Sequence, residues 1–440
     1  MLSPELNERM CRVGPGTPMG HALRRYWLPV LLGADLTAGG DPCGVEVAGE
    51  RYVGYRDAAG KAGLYAEACL HRGASMLMAR AEPDGLRCIY HGWKFGVDGQ
   101  VLDTPNVADP RFKERVKGRT YPVREAGGLI WAYLGPREHE PAFPWWPWMD
   151  LPATQCLVTR HVEECNFVQV MEGLVDSSHL GILHSDGLRQ SGETALAFAR
   201  KVSSMQRNLA PQLAIEETDF GFYYAALRDV GDDTAPRTEG RVAAFVAPCT
   251  VLNPNGDIVT ISVPVSDTQT AFFHVFWSTT ERINEEPLRG KHLAFVGLTA
   301  DKLDEFGITP QTLGRKDRPN PRNAFMQNRE AMRSGASWSG LPGLIEEDVA
   351  VSVSAGPIRE RNNEALSSAD LAVSRIYRVL LRCADAVAQG LDPVGLERHI
   401  DWSEVVGAHG DVTPQRPWQA LVPARPQPAS AKAQQTGVPA

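Results

Sequence analysis

The chain has 440 residues, 43% of them hydrophobic and 22% charged, an ordinary globular composition with length enough for two or more domains. Its formal net charge of −8 excludes an overall basic surface for nucleic acid or an anionic membrane. The first thirty residues lack a basic leader before an apolar run, and no later window approaches the roughly 18 apolar residues of a membrane span. A cytoplasmic protein acting on small molecules or proteins is expected. Eight cysteines (11, 43, 69, 88, 156, 165, 249 and 383) are scattered rather than framed, so a local Cys/His cluster points to metal rather than to a disulfide.

The expected fold class is α+β: a small antiparallel β domain, then a larger domain with an antiparallel sheet flanked by helices. Residues 1–43 form a helical segment packing on the larger domain. From Gly44 the sequence turns β-like, with turn clusters at Gly49-Glu50 and Asp57 to Gly60 and two-residue hairpins expected at Asp98-Gly99 and Gly127-Gly128. The small domain spans 44–145. PAFPWWPWMD (141–150) is a connector whose prolines forbid regular structure and whose tryptophans need a surface. The larger domain spans 146–410. Its clearest helix follows SSAD (367–370), with Val373, Ile376, Tyr377, Leu380, Ala384 and Val387 at helical spacing. Residues 411–440, rich in Pro, Ala and Gln, read as a disordered tail.

Within the small domain, Cys69-x-His71 and Cys88-x-x-His91 each set one thiolate beside one imidazole. Structural zinc sites usually space like ligands together. One of each per loop suits instead a two-iron cluster in which one iron takes both thiolates and the other both imidazoles, as in a Rieske [2Fe-2S] centre. Replacing two thiolates by neutral imidazoles raises the potential, which makes a one-electron carrier. Gly73 and Gly92 let backbone pass close to the sulfurs, and Leu70, Ile89, Trp93 and Phe95 can shield the site.

Residues 164–187 read ECNFVQVMEGLVDSSHLGILHSDG. In a continuous helix Glu172, Asp176 and His179 share a face. His184 lies about 140° around from His179, so bringing both imidazoles to one ion requires a break, expected near Gly181. An isolated pair of histidines at this spacing is more often two satisfied polar residues beside a core. An electron carrier upstream favours a metal acceptor: two histidines and a carboxylate on Fe(II) leave positions open for O2 and substrate.

With both motifs in hand, the chain resembles the catalytic (α-type) subunit of the Rieske non-haem iron aromatic-ring-hydroxylating oxygenases over roughly residues 10–395; Asp176 to His184 matches that family's D-x2-H-x4-H. GPGTPMG (14–20), RRYWLP (24–29), HRGAS (71–75), YHGWKF (90–95), EGLVDSSH (172–179) and SAGPIRERN (354–362) are most similar to the phthalate 4,5-dioxygenase branch. The resemblance implies a third iron ligand in GLIEEDVAVSVSAGPI, pointing to Asp348 with Glu346 and Glu347 as neighbouring alternatives. It also implies a catalytic role for Asp176, bridging His179 to His91 or His71 of an adjacent subunit in a homotrimer or stacked hexamer. Glu172 stands where naphthalene-type dioxygenases carry Asn; Asn166, Gln169 and Glu172 are candidate supporting groups around the ligands.

The implied activity is that of a terminal oxygenase. Electrons from NADH, delivered by a flavin/iron-sulfur reductase, pass through the [2Fe-2S] Rieske cluster to mononuclear non-haem Fe(II), where O2 is used to dihydroxylate a phthalate- or benzoate-like aromatic acid. O-demethylation and monohydroxylation belong to the same branch. A carboxylate substrate needs a cation near the iron, for which Arg207 and Arg241 are nominated, with Ser178 as a pocket wall. RFKERVKGRT (111–120), five basic residues against one acid, is a candidate docking surface for the reductase. From other classes, a zinc-stabilised binding protein predicts zinc and no iron, and a metal hydrolase leaves the cysteines without a purpose.

Overall fold

The computed structural model describes residues 2–191, 196, 203–231 and 235–423. Helices α1 (Pro4–Cys11) and α2 (Pro18–Leu23) each begin with a proline behind a capping hydroxyl: Ser3 accepts from the Leu6 N–H and Thr17 from the Gly20 N–H. Strand β1 (Trp27–Leu32) follows, so the segment 1–43 is not helical throughout. The run WLPVLL is apolar on both faces and buried along nearly its whole length, which suits a covered strand.

Ten short strands build the small domain: β2 (Cys43–Val47), β3 (Glu50–Arg56), β4 (Ala62–Ala66), β5 (Arg80–Glu82), β6 (Gly85–Arg87), β7 (Lys94–Phe95), β8 (Val101–Asp103), β9 (Thr120–Tyr121), β10 (Val123–Ala126) and β11 (Leu129–Tyr133). They form antiparallel sheets ordered β2-β3-β4-β9, β5-β6-β7-β8 and, with β1, β1-β11-β10. Gly127 and Gly128, both at positive φ, make the expected two-residue turn between Ala126 and Leu129. The other hairpin is longer than expected. Phe95 pairs with Val101, so residues 96–100 connect the strands and the Asp98 carboxylate accepts from the Gln100 N–H.

In the larger domain β12 (Cys156–Glu163) leads into α3 (Phe167–Val175), α4 (His179–Ile182) and α5 (Ser185–Ser191). The long strands β13 (Gln212–Thr218), β14 (Gly221–Asp229), β15 (Thr238–Val246), β16 (Thr250–Leu252), β17 (Ile258–Ser266) and β18 (Gln269–Trp277) follow. Helices α6 (Leu288–Val296), α7 (Ala300–Phe306), α8 (Arg329–Ser334), α9 (Leu344–Ser354) and α10 (Leu371–Ala388) precede the last strand, β19 (Ala408–Val412). The antiparallel sheet runs β12-β18-β17-β16-β15-β14-β13, with β19 also on β15. Alternation divides its residues. On one face Leu157, Ile258, Phe272 and Phe276 meet α6, α7 and α9; on the other Val259, Ile261, Phe273 and Val275 join the core that holds α3 and α10. Helix α10 buries Val373, Ile376, Tyr377, Leu380 and Ala384, the stripe expected of it, and α1 and α2 pack on it.

The connector welds the two parts. Trp146 packs near Trp131 of β11 and against Trp402, and Trp148 stacks with Trp277 of β18, while Trp145 is exposed. Residues 411–423, expected to belong to a disordered tail, are instead ordered: β19 pairs with β15, and Trp418 and Val422 are buried, because this stretch has apolar side chains to bury. Residues 424–440 lie outside the described residues. Among the described residues no helix is long and apolar enough to cross a membrane.

A Cβ on Gly127 would overlap the Trp148 ring at a backbone with φ of +59°. Gly127→Ala is therefore expected to destabilise the protein by about 2–4 kcal/mol, read as a lower midpoint in chemical denaturation; an unchanged midpoint would show that this turn does not hold the connector.

Candidate metal centres

The β4–β5 and β6–β7 loops share one backbone skeleton. The Cys69 N–H donates to the Ala74 carbonyl and the Gly73 N–H to the Cys69 carbonyl; likewise Cys88 N–H bonds Trp93 and Gly92 N–H bonds Cys88. Each loop thus turns back on its cysteine four and five residues later, at a glycine with φ of +72° or +74° that a side chain would strain. The cysteines are 5% and 3% exposed, with the histidines outside them. His71 and His91 lie 4.5 Å apart between ring centres, and His71 stacks on Trp93. Burial and the neighbouring Cys88 push the Cys69 thiol up to about 11, and His71 Nδ1 is buried with no hydrogen-bond partner. Both fit the donor set of a metal cluster. The thiols and the imidazoles form two separate pairs, and among the described residues these four do not make a group with its donor atoms all within 4.8 Å. A single tetrahedral zinc, with bonds of about 2.0–2.3 Å, demands that closeness; a two-iron cluster does not.

His179, His184 and Asp348 do make such a group, their donor atoms all within 4.8 Å of one another. Asp348 Oδ1 lies 3.1 Å from His184 Nε2 and 3.7 Å from His179 Nε2. Behind each imidazole stands a second carboxylate. Glu347 Oε2 is 2.7 Å from His184 Nδ1, with its other oxygen held by the Ser339 hydroxyl at 2.5 Å; Asp176 Oδ2 is 3.5 Å from His179 Nδ1. Burial alone would depress His184, but Asp348 and Glu347 raise it to about 10. Burial also opposes ionisation of Asp348, and the attraction of His184 and His179 outweighs it. A buried cationic charge is therefore what this donor set favours, and two imidazoles with one carboxylate fit Fe(II) with open positions. Of the adjacent acids, Glu347 orients His184, and Glu346 turns instead into space left by Gly297 and Gly343.

The helix break differs from expectation. Residues 164–187 do not form one helix: Asp176 caps α3, Ser177 and Ser178 are non-helical, and a turn at Leu183 and His184 separates α4 from α5. Asp176 and His179 therefore do not share a helix face with Glu172. Gly181 stays helical, and its missing side chain admits the Met205 carbonyl. Ser178 faces Asp176 rather than a pocket, donating both its N–H (2.7 Å) and hydroxyl (2.6 Å) to Oδ1. His179 and Ser178 hold that carboxyl at about 2 despite the opposing effect of burial.

The three supporting groups expected around the ligands serve the scaffold. Asn166 caps α3 and donates to the Cys11 and Asp267 carbonyls. Gln169 bonds the Ser352 and Gly356 carbonyls and the Arg359 N–H. Glu172 accepts from Arg359, Arg361 and Tyr377, tying α3 to α10 and the segment after α9. Arg207 is exposed, and Arg241 is buried within the sheet, bonded to Asn255, with burial lowering it to about 10. In the basic run, Lys113 donates to the Leu102 carbonyl and Arg115 and Arg111 both pair with Asp109, which ties three of the five charges locally.

Two residues in contact with the site escaped sequence reasoning. Glu347 was visible only as a neighbour of Asp348. Arg228, in a strand far from the motifs, donates to the Ser177 carbonyl (2.6 Å) and hydroxyl (3.1 Å) and to the Asn208 carbonyl (3.0 Å), under the turn that carries Asp176. No local pattern announces that contact.

Comparison with known proteins agrees with this geometry. The Rieske [2Fe-2S] domain model matches residues 26–122, and the family model described as "LigXa C-terminal domain like" matches residues 132–436. The sequence is 36% identical over 405 residues to the phthalate 4,5-dioxygenase oxygenase subunit of Pseudomonas putida, covering 90% of this chain and 89% of that one. It is 30% identical over 409 residues to the 5,5'-dehydrodivanillate O-demethylase oxygenase subunit of a Sphingobium species, covering 90% and 84%. The solved structure of Pseudomonas putida CBB5 NdmA, a QL mutant with theobromine, has the same fold: TM-score 0.58 at 18% identity, over 87% of this chain and 99% of that one.

Glu347→Ala removes the acceptor that orients His184 without touching a donor atom of the triad. Affinity for a divalent ion, titrated with Fe(II) or Co(II), is expected to fall about 10- to 100-fold; an unchanged affinity would mean that the triad is set without it.

Proposed function

Since the chain belongs to the Rieske non-haem iron oxygenases, with their [2Fe-2S] cluster and mononuclear iron, we propose that it is a terminal oxygenase component that dihydroxylates an aromatic carboxylate of phthalate or benzoate type. The observation that carries this reading is the triad of His179, His184 and Asp348, gathered on one chain with the paired Cys/His loops. Cys69, His71, Cys88 and His91 would hold the cluster, and the triad would hold the iron. When bound, these groups supply single electrons and the activation of O2.

The protein's own residues position and gate. Glu347 accepts from Nδ1 of His184, which leaves Nε2 for the ion, and Asp348 faces both rings. Asp176, fixed by Ser178, reaches His179 on one side; its other task is to bridge to His91 or His71 of an adjacent subunit, which makes the functional unit a homotrimer or a stack of two. The exposed apolar rim of the cluster loops, Leu70, Ile89 and Tyr90, supports such docking. A flavin/iron-sulfur reductase feeds the cluster, with Lys117 and Arg119 as basic residues of the run that no acid pairs with among the described residues. The six cysteines outside the cluster loops are unpaired thiols, the state that a reducing cytoplasm maintains.

A cavity of about 900 Å³ lies beside the segments that carry the triad, lined by Leu183 and Ser185 on either side of His184, by Val351 one turn beyond Asp348, by Phe325 and Trp338, and by Arg189. Its size and the apolar Phe325, Trp338, Leu341 and Val351 on its walls suit an aromatic ring, and the guanidinium of Arg189, which is paired with Asp186, would have to turn to meet a carboxylate. The O-demethylase relative favours a second reading, in which a ring methoxy group is attacked instead.

Turnover with a matched reductase and isotopically labelled O2 separates the two. Both oxygen atoms in a cis-diol product is the expected result; release of formaldehyde would replace dihydroxylation by O-demethylation, and no oxygenation across a panel of aromatic acids would refute the substrate class. Asp176→Asn is expected to retain both metal centres and to slow oxidation of the reduced cluster by substrate and O2 at least 100-fold, measured by single-turnover spectroscopy; a rate near that of the parent would remove Asp176 from the electron path.

A further inference from the structure

Arg228 lies on β14, 1% exposed, with Glu239 opposite it on β15. Its guanidinium ends on main chain and a hydroxyl rather than on a solvent-facing acid: two bonds reach Ser177 and one reaches Asn208. Ser177 is the middle of the three-residue break between α3 and α4, where the helical ladder is interrupted. A break of that kind has few bonds of its own to hold it. Within it, Ser178 ties the Asp176 carboxylate locally, and Arg228 ties the main chain to the sheet. The same break decides how far Asp176 reaches, and its 3.5 Å separation from His179 Nδ1, a buried atom with no hydrogen-bond partner, lies just beyond ordinary hydrogen-bond range.

We propose that Arg228 is a positioning residue for electron delivery: by clamping Ser177 to the sheet it sets the reach of Asp176 toward His179 and toward the histidine of the adjacent subunit. The inference rests on the bridging role proposed above for Asp176. It follows from geometry in which a displacement of about 1 Å far from the chemistry can cost about 10²-fold in rate. The charge also matters. Charged donors make the stronger bonds to carbonyl oxygen, and a cation beside the C-terminal end of α3 complements the helix dipole there.

Arg228→Gln in the holoenzyme, with Arg228→Lys and Ser177→Ala beside it, tests the clamp. The Gln variant is expected to oxidise its reduced cluster at least tenfold more slowly in a single turnover with substrate and O2, while iron content and KM for the aromatic acid stay within twofold. The metal-free variant is expected to show faster amide exchange across residues 176–179, a readout independent of turnover. Ser177→Ala, which deletes the hydroxyl but leaves the carbonyl, is expected to slow the step less than the Gln variant. A cluster-oxidation rate within twofold of the parent in Arg228→Gln overturns the proposal. If burial of an uncharged amide prevents folding, Arg228→Lys decides: it keeps the charge but cannot span both acceptors, so a threefold or larger slowing supports the clamp and an unchanged rate overturns it. Asp176→Asn separates the two ideas. An unchanged rate there fails the bridge itself, whereas a slow Asp176→Asn beside a normal Arg228→Gln fails the clamp alone.

Discussion

Two imidazoles on one short segment and a carboxylate from a distant helix must reach a single ion, and the rest of the catalytic domain is arranged around that requirement. A continuous helix through residues 167–191 would send His179 and His184 to different faces. The chain instead breaks twice, after Val175 and again at Leu183 and His184, and each break is held by neighbours. Ser178 and Arg228 secure the first. At the second, His184 is fixed between Asp348 and Glu347. The acids that raise its basicity are the same ones that orient it, so positioning and electrostatics come from one set of contacts.

The paired Cys/His loops solve a related problem with less material. Each is a turn closed on its own cysteine through a glycine in the left-handed region. The difference between C-x-H and C-x-x-H shifts the imidazole by one residue on an otherwise shared backbone, and both rings end on the outer side with the thiols buried beneath. Outward imidazoles with an apolar rim are suited to meeting another surface, which is where an electron has to leave.

The Cys/His loops and the H-x4-H pair were legible because ligand chemistry is local: residue type and spacing carry it. So were the buried stripe of α10 and the Gly127-Gly128 turn, which follow from periodicity and from φ. Asp348 was reached through family resemblance, with Glu346 and Glu347 left open beside it; only the orientation of α9 separates an acid that faces both imidazoles from one that braces a histidine and one that points elsewhere. Asn166, Gln169 and Glu172 were named for their nearness in sequence to His179, whereas their hydrogen bonds go to other parts of the scaffold. Each is buried against α1, α9 or the segment before α10, where its polar atoms are satisfied. Arg228 was illegible for the opposite reason, since its contact joins residues 51 positions apart.

The central claim is that one chain holds two kinds of iron site built from these two sets of donors. An EPR spectrum of the purified, dithionite-reduced protein, with iron and zinc quantified on the same sample, tests it most directly. The predicted result is the rhombic signal of a histidine-ligated two-iron cluster with about three irons per chain. Zinc in place of iron, with no such signal, would contradict the account.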